Sequence, residues 1–175
     1  SDVLNNGVVQ IFSTDHAFAA LKEDGSVVGW GDEFSGGFRG KSGIDIAKNV
    51  RTIRSTTGAF AALLEDDTVQ AWGYSNNGGV PDGQAALALA SGQVEDIFSN
   101  DFTFAALLKD GSVVSWGSPS SGGDTSSVDK ELVDVQRIIG NRNAFTAITG
   151  SGKAVSWGIS GANYIEQADQ LRAGV

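Results

Sequence analysis

The stretch that decides the fold is "AFAALKEDGSVVGWG" at residues 17–31, because the chain repeats it three more times. Related phrases begin at residues 59 ("AFAALLEDDTVQAWG"), 103 ("TFAALLKDGSVVSWG") and 144 ("AFTAITGSGKAVSWG"). In each phrase a Phe stands twelve residues before a Trp, and successive Trp residues are 42, 44 and 41 positions apart. A period in this range indicates a repeat architecture. The pairs are Phe18 and Trp30, Phe60 and Trp72, Phe104 and Trp116, and Phe145 and Trp157.

Each repeat predicts three short strands. The first contains a Val and an Ile three residues apart, the second is the "AFAALL" run, and the third is the "SVVxWG" run. The "EDGS" and "KDGS" segments between the second and third strands predict tight hairpin turns, because Asp-Gly suits the positive φ of type I′ turns. Asp67 takes the glycine position in the second repeat, and Asp adopts positive φ at modest cost.

The middle strand decides how the sheets are arranged. In the second repeat Phe60, Ala62 and Leu64 alternate with Ala61 and Leu63, so neither face of the strand is suited to water. Each sheet is therefore predicted to lie between two others, as in a β-propeller. A β-solenoid is the main alternative, but its repeats are usually shorter and lack a hairpin turn at one fixed place.

The predicted fold is all-β: one propeller-type domain over residues 1–175, with four units at 8–49, 50–93, 94–134 and 135–174. The four units form either a complete four-bladed ring or an arc of a larger propeller. "DVLNNGV" at 2–8 is similar to "DQLRAGV" at 169–175, so we expect four whole units cut at unit boundaries. Small residues precede each Trp and would let a neighbouring sheet approach.

The connectors between repeats vary in sequence. Three of them carry paired glycines at one offset after the Trp (Gly36-Gly37, Gly78-Gly79 and Gly122-Gly123), which we interpret as a structural turn. The segments "SSVDKELVD" at 126–134 and "NYIEQADQLRAG" at 163–174 predict one or two turns of helix. Ser126 with Asp129, and Asn163 with Glu166, have the spacing of helix N-caps, and Gly174 is a plausible stop.

The "DGSVVxWG" phrase and the trailing Gly-Gly resemble the repeats of the regulator of chromosome condensation family, in particular its bacterial-style branch in large secreted or surface proteins. The same type of propeller occurs in a β-lactamase-inhibitory protein. The resemblance covers essentially the whole chain and implies a propeller, but it does not imply one function, because the binding loops differ between members. Propellers of this family usually have seven blades. Four units therefore leave three alternatives: the chain closes into a ring by itself, it pairs with a second copy, or neighbouring repeats or chains complete the propeller.

Composition and charge exclude some function classes. The net charge is −9, which argues against nucleic acid, and no apolar run approaches the roughly 18 residues of a membrane span. We expect a soluble chain. Between Arg54 and Lys109 there are seven acidic and no basic residues, which predicts a solvated acidic rim, with a patch for a cationic partner or calcium as the alternative. The chain has no cysteine, so it has no disulfide and no thiolate ligand.

No catalytic motif emerges from the sequence. His16 is the only histidine and falls in a predicted turn, without a nucleophile motif beside it. "TGSGKA" at 149–154 lacks the first glycine and the final hydroxyl residue of a phosphate-binding loop, and it aligns with the hairpin turns. Glu65, Asp66 and Asp67 are adjacent, but a hairpin tip is the default interpretation. We therefore predict no enzyme activity, no cofactor and no metal.

The unrepeated loop residues are the remaining candidates for function. Exposed aromatic residues among polar ones are typical of recognition sites. The leading hypothesis is a non-enzymatic module that binds a protein or a glycan, within a larger extracellular or cell-surface protein; the alternative is a structural subunit of an assembly whose open blade edges are filled by partner chains. The candidate binding residues are Asp15, His16, Phe34, Phe38, Tyr74, Asn100, Asp101, Phe102 and Arg142.

Overall fold

The fold is that of a computed structural model, which describes residues 4–37 and 48–158. These residues form four antiparallel sheets of three strands, each in chain order. The prediction of three strands per repeat is confirmed. The strands are β1 (Val8–Ser13), β2 (Ala17–Lys22), β3 (Val27–Gly31), β4 (Val50–Ser55), β5 (Ala59–Leu64), β6 (Val69–Gly73), β7 (Val94–Ser99), β8 (Thr103–Leu108), β9 (Val113–Gly117), β10 (Val135–Gly140), β11 (Ala144–Thr149) and β12 (Ala154–Gly158).

The twelve-residue spacing between Phe and Trp is explained by the hairpin register. In the second sheet Phe60 lies opposite Trp72, and the other three sheets have the same pairing. The two rings stack in every sheet, with their centroids 5.3 Å apart. In the hairpin turns Gly25 and Gly111 have positive φ, and Asp67 takes the same conformation with φ 61°. The prediction of type I′ turns is wrong, because the residue before each of these, Asp24, Asp110 and Asp66, does not have positive φ.

The core lies between neighbouring sheets. Three clusters of buried side chains join the first sheet to the second, the second to the third, and the third to the fourth. The middle strands β5 and β8 are buried on both faces, as their sequences predict. At the two ends of the row one face stays open: Phe18 is 44% exposed and Ile148 is 39% exposed. No cluster among the described residues joins the fourth sheet to the first.

The connectors pack over the junctions between sheets. One contains a helix, α1 (Gly83–Leu89), whose Ala85 and Leu89 enter the core between the second and third sheets. This helix was not predicted from the sequence. Val128 and Leu132 of the next connector enter the core between the third and fourth sheets.

The helical prediction for residues 126–134 is wrong. This segment forms consecutive turns instead, with Val128 N–H donating to Thr125 C=O and Glu131 N–H to Val128 C=O. No helix begins at Ser126, whose N–H donates to the Asp124 carboxylate at 2.9 Å. The helix predicted at 163–174 lies outside the described residues.

Each sheet has two distinct ends. The turns between its first and second strands lie beside the start of the following connector, because Asp32 N–H donates to His16 C=O and Tyr74 N–H to Gly58 C=O. We call this the loop end. The hairpins between the second and third strands lie at the other end, which we call the hairpin end.

Candidate functional site

A ladder of main-chain hydrogen bonds links the turns at the loop end. Asp15 N–H donates to Thr57 C=O at 3.0 Å, Thr57 N–H to Asp101 C=O at 2.8 Å, and Asp101 N–H to Arg142 C=O at 3.2 Å. These four residues occupy the same position in the four repeats. The ladder therefore brings the candidates Asp15, Asp101 and Arg142, which the sequence predicted, into one continuous row.

The side chains on this row differ in what they offer to a partner. Asp15 and His16 are exposed, and Phe102 is half-buried. Arg142 Nε and Asp101 Oδ2 form an ion pair at 3.2 Å with both side chains largely accessible to solvent. In contrast, Asn100 is 7% exposed. Its amide donates to Ser121 C=O at 2.7 Å and its Oδ1 accepts from Phe102 N–H at 2.9 Å, so these groups are already used inside the fold.

The most distinctive concave feature is a groove above the junction of the first and second sheets, with a volume of about 560 Å³. Phe34 enters it from the first connector and Tyr74 from the second, while Trp72 forms its floor. Phe34 is 78% exposed and Tyr74 is 48% exposed, although both are aromatic. We call this feature the aromatic groove; its lining residues are Glu33, Phe34, Gly36, Gly37, Trp72, Gly73, Tyr74 and Ser75.

A second groove of about 590 Å³ occupies the equivalent place at the junction of the second and third sheets. Six of its eight lining residues occupy repeat positions that also line the aromatic groove, whereas Val80 and Asp82 have no counterpart among the described residues that line it. Asn76 stands where the aromatic groove has Phe34, and Ser118 stands where it has Tyr74. The scaffold therefore supplies a groove lined by a Trp at both junctions, and only the first also carries exposed aromatic side chains, those of Phe34 and Tyr74.

Trp72 links the groove to the core. One face of its ring stacks on Phe60, and its indole N–H donates to Gly36 C=O at 3.2 Å. These contacts fix the ring while part of it remains accessible from the groove. The repeat pattern assigned Trp72 to the core alone; the variable residue Tyr74, two positions after it, is the signal that could have placed Trp72 in the site.

The polar residue that opens the loop-end turn in the first three repeats has a structural role that was not predicted from the sequence. Thr14 Oγ1 donates to Ser35 C=O at 3.2 Å, and Thr56 Oγ1 donates to Asn77 C=O at 3.0 Å. Asn100 makes the equivalent bond to Ser121 C=O. Each bond ties a turn to the connector that follows it. The recurrence of Ser-Thr, Ser-Thr and Ser-Asn at residues 13, 55 and 99 could have predicted this role.

At the hairpin end the carboxylates are engaged by neighbouring groups. Hydrogen bonds from the hydroxyl and N–H of Ser26 lower the pKa of Asp24, and Thr68 does the same for the pKa of Asp66. A hydrogen bond from the Lys109 ammonium is the main cause that lowers the pKa of Asp67. Asp67 also pairs with Arg51 at 2.8 Å. Within residues 4–37 and 48–158, no group of three or more acidic or histidine side chains is arranged to hold a metal ion.

Of the three aromatic connector candidates, Phe34 and Tyr74 can be placed, whereas Phe38 lies outside the described residues. Residues 150–153 of the "TGSGKA" segment connect β11 to β12 as a hairpin turn. No helix in the described part of the chain is long and apolar enough to cross a membrane.

The row of antiparallel sheets, the inter-sheet cores and the loop-end grooves together define an RCC1-like β-propeller fold. Solved structures support this class. The chain is similar to the ectodomain of the Physcomitrella patens receptor kinase CR4, with a TM-score of 0.60 and 15% identity over 86% of this chain and 40% of that one. It is similar to Prp20p from Saccharomyces cerevisiae, with a TM-score of 0.59 and 22% identity over 86% of this chain and 43% of that one.

A third similar structure is human WBSCR16, with a TM-score of 0.55 and 22% identity over 88% of this chain and 48% of that one. The chain therefore spans less than half the length of these propeller proteins. No protein-family model and no curated protein matches the sequence. The similarity consequently establishes the fold, and function has to be argued from this chain's own surface.

Proposed function

We propose that this chain is a non-enzymatic β-propeller module for protein or glycan recognition that binds its partner through the aromatic groove. Of these two classes of partner, we propose a protein segment. We also propose that its repeats are of the regulator of chromosome condensation type and that it acts at the cell surface or outside the cell. The observation that carries the proposal is the convergence of Phe34 and Tyr74 over Trp72.

The difference between the two equivalent grooves supports a binding role for the first. Both have the same backbone frame, but only the first exposes large aromatic side chains to water, which is an unfavourable arrangement unless a partner covers them. Aromatic residues that are rigid and partly buried act as binding hot spots, because a partner gains apolar contact with little loss of side-chain entropy. Trp72 meets this description, since its ring is fixed from below.

Charge favours a particular kind of protein segment. Glu33 lines the groove, and the chain carries a net charge of −9. A peptide that presents an apolar side chain next to a basic one would fill the groove and pair with this carboxylate. The similar structures support protein partnering in general terms: Prp20p binds Gsp1p and histones, and yeast RCC1 (Prp20) has been solved bound to Kap60. The CR4 structure is the ectodomain of a receptor kinase.

The experiment selects binders to the purified chain from a phage-displayed library of random peptides, with a glycan array run in parallel. We expect peptides with an apolar residue beside Lys or Arg. Their affinity should fall at least about tenfold in Phe34→Ala and in Tyr74→Ala, as for truncated hot-spot residues. Leu87→Ala is the matched control, because Leu87 is 71% exposed on α1 and does not line the groove.

Three outcomes count against the proposal. Peptides that bind equally well to Phe34→Ala and Tyr74→Ala would show that the groove is not the site. A library without binders would remove the support for a protein segment. Glycans that bind in a Tyr74-dependent manner while peptides do not would assign the groove to carbohydrate instead.

The alternative function, a structural subunit in a multiprotein assembly, is favoured by a different observation. The outer faces of the first and fourth sheets expose Phe18 and Ile148, whose equivalents between sheets are covered. If this alternative is correct, changes on those faces should release a partner while changes in the aromatic groove leave it bound.

A further inference from the structure

The aromatic groove is continuous with the groove at the junction of the second and third sheets. Ser75 lines both of them. Across this boundary Asn76 Nδ2 donates to the Tyr74 hydroxyl at 3.3 Å, so a side chain of the second groove holds one of the first. We call the second one the polar groove; its lining residues are Ser75, Asn76, Val80, Asp82, Trp116, Gly117, Ser118 and Pro119.

Asp82 is the one charged side chain among the described residues that line the polar groove. It stands at the N-cap of α1 with φ −130° and ψ 173°, where an Asp carboxylate commonly accepts a hydrogen bond from the helix. Here the side chain makes no such bond. Within residues 4–37 and 48–158, no other hydrogen bond or ion pair engages this exposed carboxylate. It is therefore available to a ligand in the groove.

The residues beside Asp82 suit the aliphatic part of a long basic side chain. Val80 is 65% exposed although it is apolar, and Pro119 of the next connector is also exposed. The methylene stem of a Lys or Arg can lie on these two residues while its charged end meets the carboxylate.

The charge of this surface favours the same occupant. In the part of the chain that the structure describes, no basic residue lines either groove. The sequence between Arg54 and Lys109, which supplies most of the polar groove, contains seven acidic residues and no basic one. Together with Glu33 of the aromatic groove, Asp82 therefore gives the continuous surface a negative potential that attracts cationic groups.

The repeat geometry sets the spacing between the two grooves. They are built largely on equivalent positions of successive sheets. Sheets that pack face to face lie about 10 Å apart, and an extended chain advances about 3.3 Å per residue. Equivalent points in the two grooves are therefore about three residues apart along an extended peptide.

We propose that the polar groove is a second subsite for the peptide that the aromatic groove binds, and that it takes a Lys or Arg side chain about three residues from the apolar anchor. This inference rests on the proposed function and adds a second basic position to it. The basic residue next to the anchor pairs with Glu33, and the more distant one pairs with Asp82. The partner is then an extended segment with a defined pattern rather than a single side chain.

The test uses the full chain and a peptide selected on it from the random library. The apolar anchor and its adjacent basic residue are kept. A single further Lys is moved through the positions two to six residues from the anchor, on each side in turn, with Gln at the other scanned positions. Fluorescence anisotropy at low ionic strength measures the affinity of each labelled peptide. We expect a maximum at a spacing of about three residues, about two- to fivefold above the all-Gln peptide, as for an exposed ion pair.

Asp82→Asn is the decisive variant, because it removes the charge and keeps the size of the side chain. Asn is also a favoured N-cap residue, so α1 should form as before. In this variant the maximum should disappear, and the Lys and Gln peptides should bind equally. Glu65→Gln is the matched control: it makes the same change in net charge on an exposed residue at the hairpin end, and the maximum should persist.

The other outcomes separate this inference from the proposed function. If no spacing gives a maximum, or if the maximum survives Asp82→Asn, the polar groove is not a subsite. The proposed function still stands in that case, provided that binding depends on Phe34 and Tyr74. A gain that requires Asp82 in peptides that bind Phe34→Ala and Tyr74→Ala undiminished would refute one continuous site. A library without binders overturns both proposals.

Discussion

Replacing Gly78 with alanine should strongly destabilise the protein, for reasons that can be separated by a matched variant. Gly78 has φ 91°, and its added Cβ would lie 2.6 Å from Phe104 Cδ2. The backbone conformation costs an L-residue about 1–2 kcal/mol. The forced repacking of a buried ring adds about 1–3 kcal/mol. The free energy of unfolding should therefore fall by roughly 2–5 kcal/mol.

Gly83 provides the control for the backbone contribution. It also has positive φ, at 50°, but nothing lies within 4 Å of its added Cβ. Gly83→Ala should therefore cost only about 1–2 kcal/mol, the conformational part alone. Urea titration followed by tryptophan fluorescence measures both variants against the natural chain. Equal losses in the two variants would refute the claim that the close approach to Phe104 is what requires glycine.

Two other predictions follow from burial and charge. Trp116→Ala should lower the free energy of unfolding by about 3–5 kcal/mol, because Trp116 is 2% exposed. Trp30→Ala should lower it by less than half as much, since the Phe18 ring that stacks on Trp30 is 44% exposed. Equal losses of the two variants in urea titrations would contradict this. The pKa of Asp67 is depressed, so its ion pairs contribute stability that is complete above the ordinary value of 3.8 and is lost as pH falls through the lower folded value. Asp67→Asn, which tolerates the positive φ, should therefore show a smaller fall of Tm than the natural chain between about pH 5 and pH 2, and parallel curves would remove Asp67 as a source of acid sensitivity.

The sequence determined the strands and their register because both depend on local patterns. Phe60 and Trp72 are twelve positions apart in a two-strand hairpin, and this spacing, with the turn midway between them, places the two residues opposite each other. The positive φ of Asp67 also followed from its alignment with glycine in other turns. These predictions needed only the chain on either side of one turn.

The candidate site depends on contacts that the local pattern does not encode. Phe34 and Tyr74 are forty residues apart, and they line one groove because the first connector packs against the second sheet, where the Trp72 indole N–H donates to Gly36 C=O. The ion pairs of Asp67 likewise join it to Arg51 and to Lys109 of the next repeat. Asn100 was selected from its place in a variable loop, whereas the structure uses its amide to hold that loop. The alignment of Asn100 with Thr14 and Thr56 in the other repeats, rather than its residue type, could have predicted that role.

The main-chain ladder at the loop end has a consequence for how this surface can diverge. Thr57 Oγ1 also donates to Asp101 C=O at 2.8 Å, but the turns otherwise hold one another through N–H and C=O groups, so the side chains of Asp15, Asp101 and Arg142 are not required for the ladder itself. These positions can therefore accumulate substitutions without loss of the scaffold, provided that proline, which lacks the N–H, is avoided. A propeller of this kind is suited to acquire new specificities by point mutation, and the positions of Asp15, Asp101 and Arg142 are the natural ones to randomise in a binder library.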